Sequence, residues 1–554
     1  MPNDLVRVKL YYNQKLLEEV SLKKGTLLFD AEKRHAFRYP IILARLNNEL
    51  AELHNKIVED CSIEFLDITS SFGFRAYQNS VTFMMIHAVK KLFGKKTRVV
   101  INHSINKNYY CHIEGMNAEP EMLAAIEAEM NELAIRDIKF EKISLPVEEA
   151  RKIAEDFGLC DKIKLLQYRR TANVNFYKLE EFYDYFYGYM APSTGCVGKF
   201  GLKLRDNGFL LQFPKSSNPA EMLEVIDYAK LFQIFGESSQ WANILHAGTV
   251  GALNDIISKG GHNEFVRINE ALHEKKIAAI ADQILAGGKK VVLVAGPSSS
   301  GKTTFANRLS IQLRVNGLRP HIISLDNYFW GAQKIIVDEF GKPNFEDLDA
   351  IDVDSINGDL AKLLAGGAVQ LPKFDFTKAK REYIGPLLRL LPEDVLIIEG
   401  IHGMNEKISE SVPSSKKFKV FISAMTQINI DDHNRIPTTD TRLIRRMVRD
   451  NRTRGANAKK TLELWPSVTR GEERNIFPFQ EDAGCMFNSA LVYEMCVLKQ
   501  YADPLLFSID RSCDEYTEAR RLIKFLDSFI VISSEDVPKN SILREFIGGG
   551  CFEI

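Results

Sequence analysis

Paired cysteines, long apolar runs and an excess of either charge are all missing from this chain. Its 554 residues hold eight cysteines, none in a C-x-x-C pair. That removes the zinc ribbon and the thioredoxin-type redox motif. Scattered thiols fit a reducing compartment, so the expected location is cytoplasmic. No stretch of about 18 uninterrupted apolar residues occurs, and no membrane span is expected. The opening MPNDLVRVKLYYNQ has no basic segment followed by an apolar run, so no secretory signal is expected either. The formal net charge is -1, which argues against a protein whose main work is coating nucleic acid.

What remains is an ordinary globular composition, 45% hydrophobic and 26% charged, with length for about three to four domains. Short strands with turns, such as Val6–Tyr11, Ile41–Leu46 and Ile63–Ile68, predict a small mixed α/β domain over 1–70. Ser80–Phe93 reads as a helix, and mixed strands and helices continue over 71–220. A helical connection over 221–285 contains Ala271–Ala281. From 286 to 554 an α/β domain is expected. Its candidate strands are Val291–Ala295, His321–Leu325, Val395–Ile398, Phe418–Ile422 and Leu505–Ile509. Strands alternating with helices predict a parallel sheet with helices on its faces.

Within that last domain Gly296-Pro297-Ser298-Ser299-Ser300-Gly301-Lys302-Thr303 fits G-x-x-x-x-G-K-[ST] in full, followed by Thr304. Such a loop wraps a polyphosphate. Its amides and the following helix N-terminus point at the anion, Lys302 supplies a cation for the β- and γ-phosphates, and the Thr303 hydroxyl is placed for Mg²⁺. A strand before and a helix after complete the context. No Asn-Lys pair is followed two residues later by Asp, as a guanine-reading N-K-x-D requires; Asn106-Lys107 runs into Asn-Tyr. A metabolite kinase using ATP is therefore expected over a switch GTPase.

Asp326, just past a strand end, is the expected base for an attacking hydroxyl. Glu399, at another strand end, is the expected carboxylate beside Mg²⁺. The segment Asp440–Gly455 carries Arg442, Arg445, Arg446, Arg449, Arg452 and Arg454 with only Asp440 and Asp450 among them. Helical spacing groups Arg442 with Arg446 and Arg449, and Arg445 with Arg449. Such cations suit a lid over a transferring phosphoryl group.

The ordered landmarks GPSSSGKTT, SLDNYF, PNFEDLDAIDVD, LPKFDF, VLIIEG and DTRLIRRMVRD resemble the uridine kinase and phosphoribulokinase family, from about Val291 to Ile509. The resemblance implies a P-loop kinase in which Asp326 deprotonates a ribose 5′-hydroxyl and Glu399 lies near Mg²⁺. It implies that Arg446 lies near the nucleoside and that Arg449 and Arg454 contact the phosphates. It puts Glu346, Phe374 and Asp375 on the substrate side. Glu346 stands where uridine kinases have an aspartate, Phe374 replaces a tyrosine, Ala379 a histidine and Ala456 an arginine. The transfer machinery is kept and the base-reading pocket altered. Uridine or cytidine is the acceptor implied by resemblance, and the sequence leaves a homo-oligomer open.

Gly25-Thr26, LARLNNELAEL, NSVTFMMIHAVKKLF and APSTGCVGKFGL resemble the N-terminal region of threonyl-tRNA synthetase. That region is a ubiquitin-like α+β TGS domain followed by an α+β editing-type domain. The editing hallmark H-x-x-x-H falls here on Asn79 and Phe83, and the later C-x-x-x-H on Phe186 and Met190. Phe and Met cannot serve as zinc ligands in place of His and Cys. His87 and Cys196 lie nearby, off those positions, and are read as packing. A non-catalytic accessory or regulatory module is expected. The alternative is a tRNA- or RNA-binding ATPase built on this half.

Overall fold

The computed structural model describes residues 5–553, apart from 332, 333, 335, 338–340, 342, 343, 345, 376, 377 and 379; of residues 239 and 243 it describes the backbone alone. Among the described residues no helix is long and apolar enough to cross a membrane.

The first unit is a five-stranded mixed sheet. Leu5–Tyr12 pairs antiparallel with Lys15–Lys23 and parallel with Cys61–Asp67, and the strands Ile41–Leu46 and Glu49–Ala51 complete the other edge. Val6, Val8 and Leu10 alternate inward along the first strand, the period of two that buries one face of a sheet. The second unit surrounds the 23-residue helix Ser71–Phe93, which begins at Ser70, whose side chain accepts from the Gly73 N–H. This helix starts nine residues before its expected beginning. Its burial runs almost all round, because three- and four-stranded sheets and the helix Pro120–Arg136 enclose it. Pro214–Pro219, which reads as a loop, contributes to a short hairpin formed by Pro214–Lys215 and Asn218–Met222.

The C-terminal half is built on five parallel strands ordered Arg319–Ser324, Asp394–Glu399, Val291–Ala295, Lys417–Ser423 and Cys485–Asn488. Along the central strand Val292 and Val294 join one hydrophobic cluster while Val291 and Leu293 join another. Alternation between two cores requires a sheet covered on both faces. Leu505–Ile509 is a correction: Leu505–Phe507 ends the helix Glu494–Phe507, and the fifth strand is Cys485–Asn488. A short apolar run does not by itself distinguish a strand from a buried helix end.

The connection is likewise packed. Helix His262–Ala286 lies against the phosphate-loop helix Lys302–Val315, and Arg308 on the latter donates to Glu270 and Glu274 on the former. One hydrophobic cluster runs from Leu145 and Phe176 through Val250 and Leu253 to Ile547, so the two halves share a core. A charged network lies in the same junction. Lys162 Nζ, almost fully buried, pairs with Asp184 and lies 2.7 Å from His433 Nδ1 and 3.7 Å from Asp431.

Candidate active site

The phosphate loop leaves the central strand at its C-terminal end, where open α/β sheets place their ligands. A Cβ on Gly296 would lie 1.9 Å from the Ile422 carbonyl oxygen, and Gly301 sits at φ +85° against Ile542. Only glycine fits either position. Ser299 also adopts a left-handed φ of 59°, a conformation unfavourable for a residue with a Cβ. The loop amides and those of the first turn after Gly301 form the partly positive end of the Lys302–Val315 helix. Lys302 Nζ bridges the carbonyls of Gly296 and Pro297 at 3.0 and 3.1 Å, which holds the ammonium over the loop.

The loop is braced from behind by buried charges. Arg442 donates to Glu472 at 2.5 Å and to the Ser298 carbonyl at 3.2 Å, while Glu472 accepts from the Ser298 N–H at 2.8 Å. Arg445 pairs with Glu494 and donates to Ser489 and to the Ser299 carbonyl. Arg442 and Arg445 are 1% and 0% exposed. They hold the loop's shape, unlike a solvated arginine face. On the same helix, Thr438–Arg454, Leu443, Ile444 and Met447 are buried in the core.

Arg446, Arg449 and Arg454 take the other side of that helix. All three converge on the Asp450 carboxylate, with shortest separations of 3.3, 2.7 and 3.7 Å. Arg446 also donates to the Ser298 hydroxyl at 3.0 Å. Burial first, and then the neighbouring Arg449, lower the pKa of Arg454. Ala456 follows Gly455 and donates its N–H to the Asp450 backbone carbonyl at 3.1 Å.

Asp326 lies in a short 3₁₀ turn, Leu325–Tyr328, directly after the strand Arg319–Ser324. Burial raises its pKa, opposed by the charges of Lys302, Arg454 and Arg449. Glu399, 7% exposed, ends the neighbouring strand. Burial first, and then Asp326, push it up to about 7, while Lys302 pulls it down. A cation bound beside these two carboxylates would relieve the repulsion that raises the Glu399 pKa. With the Thr303 hydroxyl at the start of the helix, these are oxygen donors of the kind Mg²⁺ takes.

Glu346 is half-buried and likewise pushed up to about 7, first by desolvation and then by Glu472. Its carboxylate lies 3.9 Å from Arg446, and its backbone carbonyl accepts from Asn475 at 2.9 Å. Phe374 stands in the hairpin Lys373–Asp375 with Lys380–Glu382, its N–H bonded to the Asn327 side chain and its ring 5.9 Å from Phe329. Asp375 pairs with Lys378 at 3.1 Å. Ala379 lies outside the described residues. Lys302, Asp326, Glu346, Glu399, Arg446, Arg449 and Arg454 are thus linked by one set of contacts and fields. Phe374 reaches it through the Asn327 side chain, next to Asp326.

Three carboxylates of this site carried no motif signal. Glu472 and Glu494 are recognisable only through the arginines they neutralise. Glu545, near the end of the chain, accepts from the Thr304 N–H and hydroxyl at 3.2 and 2.9 Å.

In the N-terminal half, Asn79 donates to the Tyr189 carbonyl, the Phe83 ring lies 5.4 Å from Phe186, and Met190 Sδ accepts from Ser80. His87 is buried against Glu180 at 3.1 Å. These side chains are used in packing.

Comparison with known proteins agrees with this division. Residues 291–492 match the model of the Phosphoribulokinase / Uridine kinase family, and this segment is a P-loop kinase domain of that type. The N-terminal part is similar to threonine–tRNA ligases. That of Clostridium kluyveri is 26% identical over 231 residues, covering 38% of this chain and 36% of the relative. That of Clostridium tetani is 31% identical over 156 residues, covering 28% and 24%. The chain spans about a third or less of the length of these curated relatives. Among solved structures, one described as a possible uridine kinase from Bacillus stearothermophilus is 21% identical, covers 39% of this chain and 98% of its own, and has a TM-score of 0.27. D-glycerate 3-kinase from Cryptococcus neoformans is 16% identical, with coverage of 48% and 90% and a TM-score of 0.23.

Proposed function

We propose that the chain transfers the γ-phosphoryl group of ATP to a hydroxyl of a small metabolite, and that the acceptor is the 5′-hydroxyl of a nucleoside of the uridine or cytidine class. The observation that carries the reading is the position of Asp326: a carboxyl at a strand end, in the field of Lys302, Arg449 and Arg454, beside the phosphate loop. A hydroxyl placed against it gives up its proton as it attacks, and the adjacent cations stabilise the carboxylate form of the base.

The loop amides, Lys302 and the first turn of its helix hold the phosphates. Thr303 and Glu399 would hold Mg²⁺, which would neutralise negative charge on the phosphates. Arg446, Arg449 and Arg454 supply the remaining positive charge for the transferring group, with Asp450 fixing their directions. Glu346 and Phe374 face the acceptor side. Glu346 supplies an acceptor for ribose hydroxyls, and its reach beyond that of an aspartate sets a different spacing for the sugar.

The test is ADP release from ATP across a panel of nucleosides, pantothenate and sugar phosphates. Uridine or cytidine should give the highest kcat/KM. A sugar or acid acceptor outrunning every nucleoside would replace the acceptor and keep the chemistry. No stimulation by any acceptor would reject the kinase reading.

A further inference from the structure

A cleft of about 1200 Å³ separates the N-terminal half from the kinase half. One wall is formed by Ser71–Thr82 residues of the long helix and by Tyr187–Tyr189. The other is formed by Arg435, Arg442 and the C-terminal helix Tyr516–Leu526. Ligand sites commonly occupy roughly 300–1,000 Å³, so this space takes a small molecule with room to spare.

Its charge is one-sided. Seven Lys and Arg side chains line it against three carboxylates. All three carboxylates are already paired: Glu49 with Arg511, Glu473 with Lys107 and Asp527 with Lys499. Four of the cations are paired as well, Arg75, Lys107, Arg442 and Arg521. Arg435, Arg520 and Lys524 have no ion-pair partner among the described residues. A chain with a net charge of -1 therefore gathers three uncompensated cations, and no uncompensated anion, in one cleft.

The same cations stand over rings. Lys524 Nζ lies 5.4 Å from the Tyr187 ring and 6.0 Å from that of Tyr189, and the Arg435 guanidinium lies 5.4 Å from Tyr109. Three buried polar atoms of lining residues lack a hydrogen-bond partner, Thr82 Oγ1, Arg435 Nε and Arg442 Nε. Unsatisfied buried polar atoms call for a partner. Cations and aromatic rings side by side, with unfilled hydrogen-bond positions, match a ligand with a phosphate and a planar ring. The Lys107–Glu473 pair, 2.9 Å long, joins the two halves at the cleft, which favours a free nucleotide over a polymer.

Arg442 lines the cleft and also holds the Ser298 carbonyl and Glu472 behind the phosphate loop. Arg442 thus forms a direct structural link between the cleft and the phosphate loop.

We propose that this cleft is a regulatory site for a free mononucleotide, its phosphate set against Arg520 and Lys524, one helical turn apart, and its base against the tyrosines. The proposal does not depend on which acceptor the kinase uses.

The test uses the full-length chain saturated with a non-hydrolysable ATP analogue, titrated calorimetrically with UMP, CMP, AMP and GMP and, separately, with a short single-stranded RNA. At least one mononucleotide should bind saturably. Arg520→Ala with Lys524→Ala should weaken it by about tenfold or more, and Asp326→Asn should leave it unchanged. The single substitution Arg520→Ala, at an exposed side chain, repeats the test with least risk to folding. Because coupling between two sites is reciprocal, the bound mononucleotide should shift the affinity for the ATP analogue about threefold or more. The proposal is overturned by absence of saturable mononucleotide binding, by binding that survives the double substitution, by an unchanged analogue affinity, or by RNA binding tighter than every mononucleotide.

Discussion

Glu545 accepts hydrogen bonds from both the backbone N–H and the hydroxyl of Thr304, at 3.2 and 2.9 Å. The helix Arg544–Ile547 is thereby tied to the first turn of the phosphate-loop helix, and Arg452 adds bonds to the Glu545 and Phe546 carbonyls. A carboxylate at a helix N-terminus also meets the positive end of the helix dipole. Glu545→Gln keeps the shape and removes the charge. It should cost about 1–3 kcal/mol of stability in chemical denaturation, and an unchanged midpoint would show that this tie contributes nothing to the loop.

Asp326→Asn should lower kcat by about 10²–10⁴-fold, the usual contribution of a positioned base. Affinity for an ATP analogue should change little, because the loop and Lys302 are intact. Full turnover in the variant would remove Asp326 from the mechanism.

The Arg442–Glu472 pair is buried, so removing one partner leaves an uncompensated charge. Arg442→Met should destabilise the chain by about 3–5 kcal/mol, and Arg442→Met with Glu472→Leu should recover part of that loss. Equal melting of the wild type and the single variant would contradict the bracing role.

Glu346 and Glu399 both titrate near 7 when folded. A carboxyl with a raised folded pKa binds its proton more tightly folded than unfolded. Between the ordinary carboxylate range and about 7 the folded chain therefore holds more protons, and stability falls as pH rises. Each group should contribute up to about 1.4 kcal/mol per pH unit in that window. Buried His103 and His402, held neutral by desolvation, act in the opposite sense, so the measurement is a difference: in urea denaturation from pH 5 to 7 the stability of Glu346→Gln or Glu399→Gln relative to the wild type should rise with pH. A slope identical in both variants would place the titration elsewhere.

Lys162 joins the halves through Asp184, Asp431 and His433. Lys162→Met strands these carboxylates and should cost about 3–5 kcal/mol. Limited proteolysis should then cut more readily between the halves; an unchanged digestion pattern would argue that the shared apolar core alone joins them.

The order of elements around the phosphate loop, the loop itself and the carboxylates at the two strand ends were legible in the sequence. Their signals are local: a glycine-rich turn between an apolar strand and a helix, and an acid where an apolar run stops. The arginine segment was legible as charge but not as roles. Arg442 and Arg445 go inward, while Arg446, Arg449 and Arg454 gather on Asp450, because Glu472 and Glu494 come from elements tens of residues away. The fifth strand differs for another reason, since a short apolar run such as Leu505-Leu506-Phe507 packs equally well in a strand or at a helix end. The sequence by itself determined a phosphate loop and two synthetase- and kinase-like halves. Tertiary structure alone decided that the halves share one core, that Glu545 reaches back 241 residues to Thr304, and that three unpaired cations face a single cleft. Each is a pairing between distant segments, and no spacing along the chain encodes which distant charge will meet which.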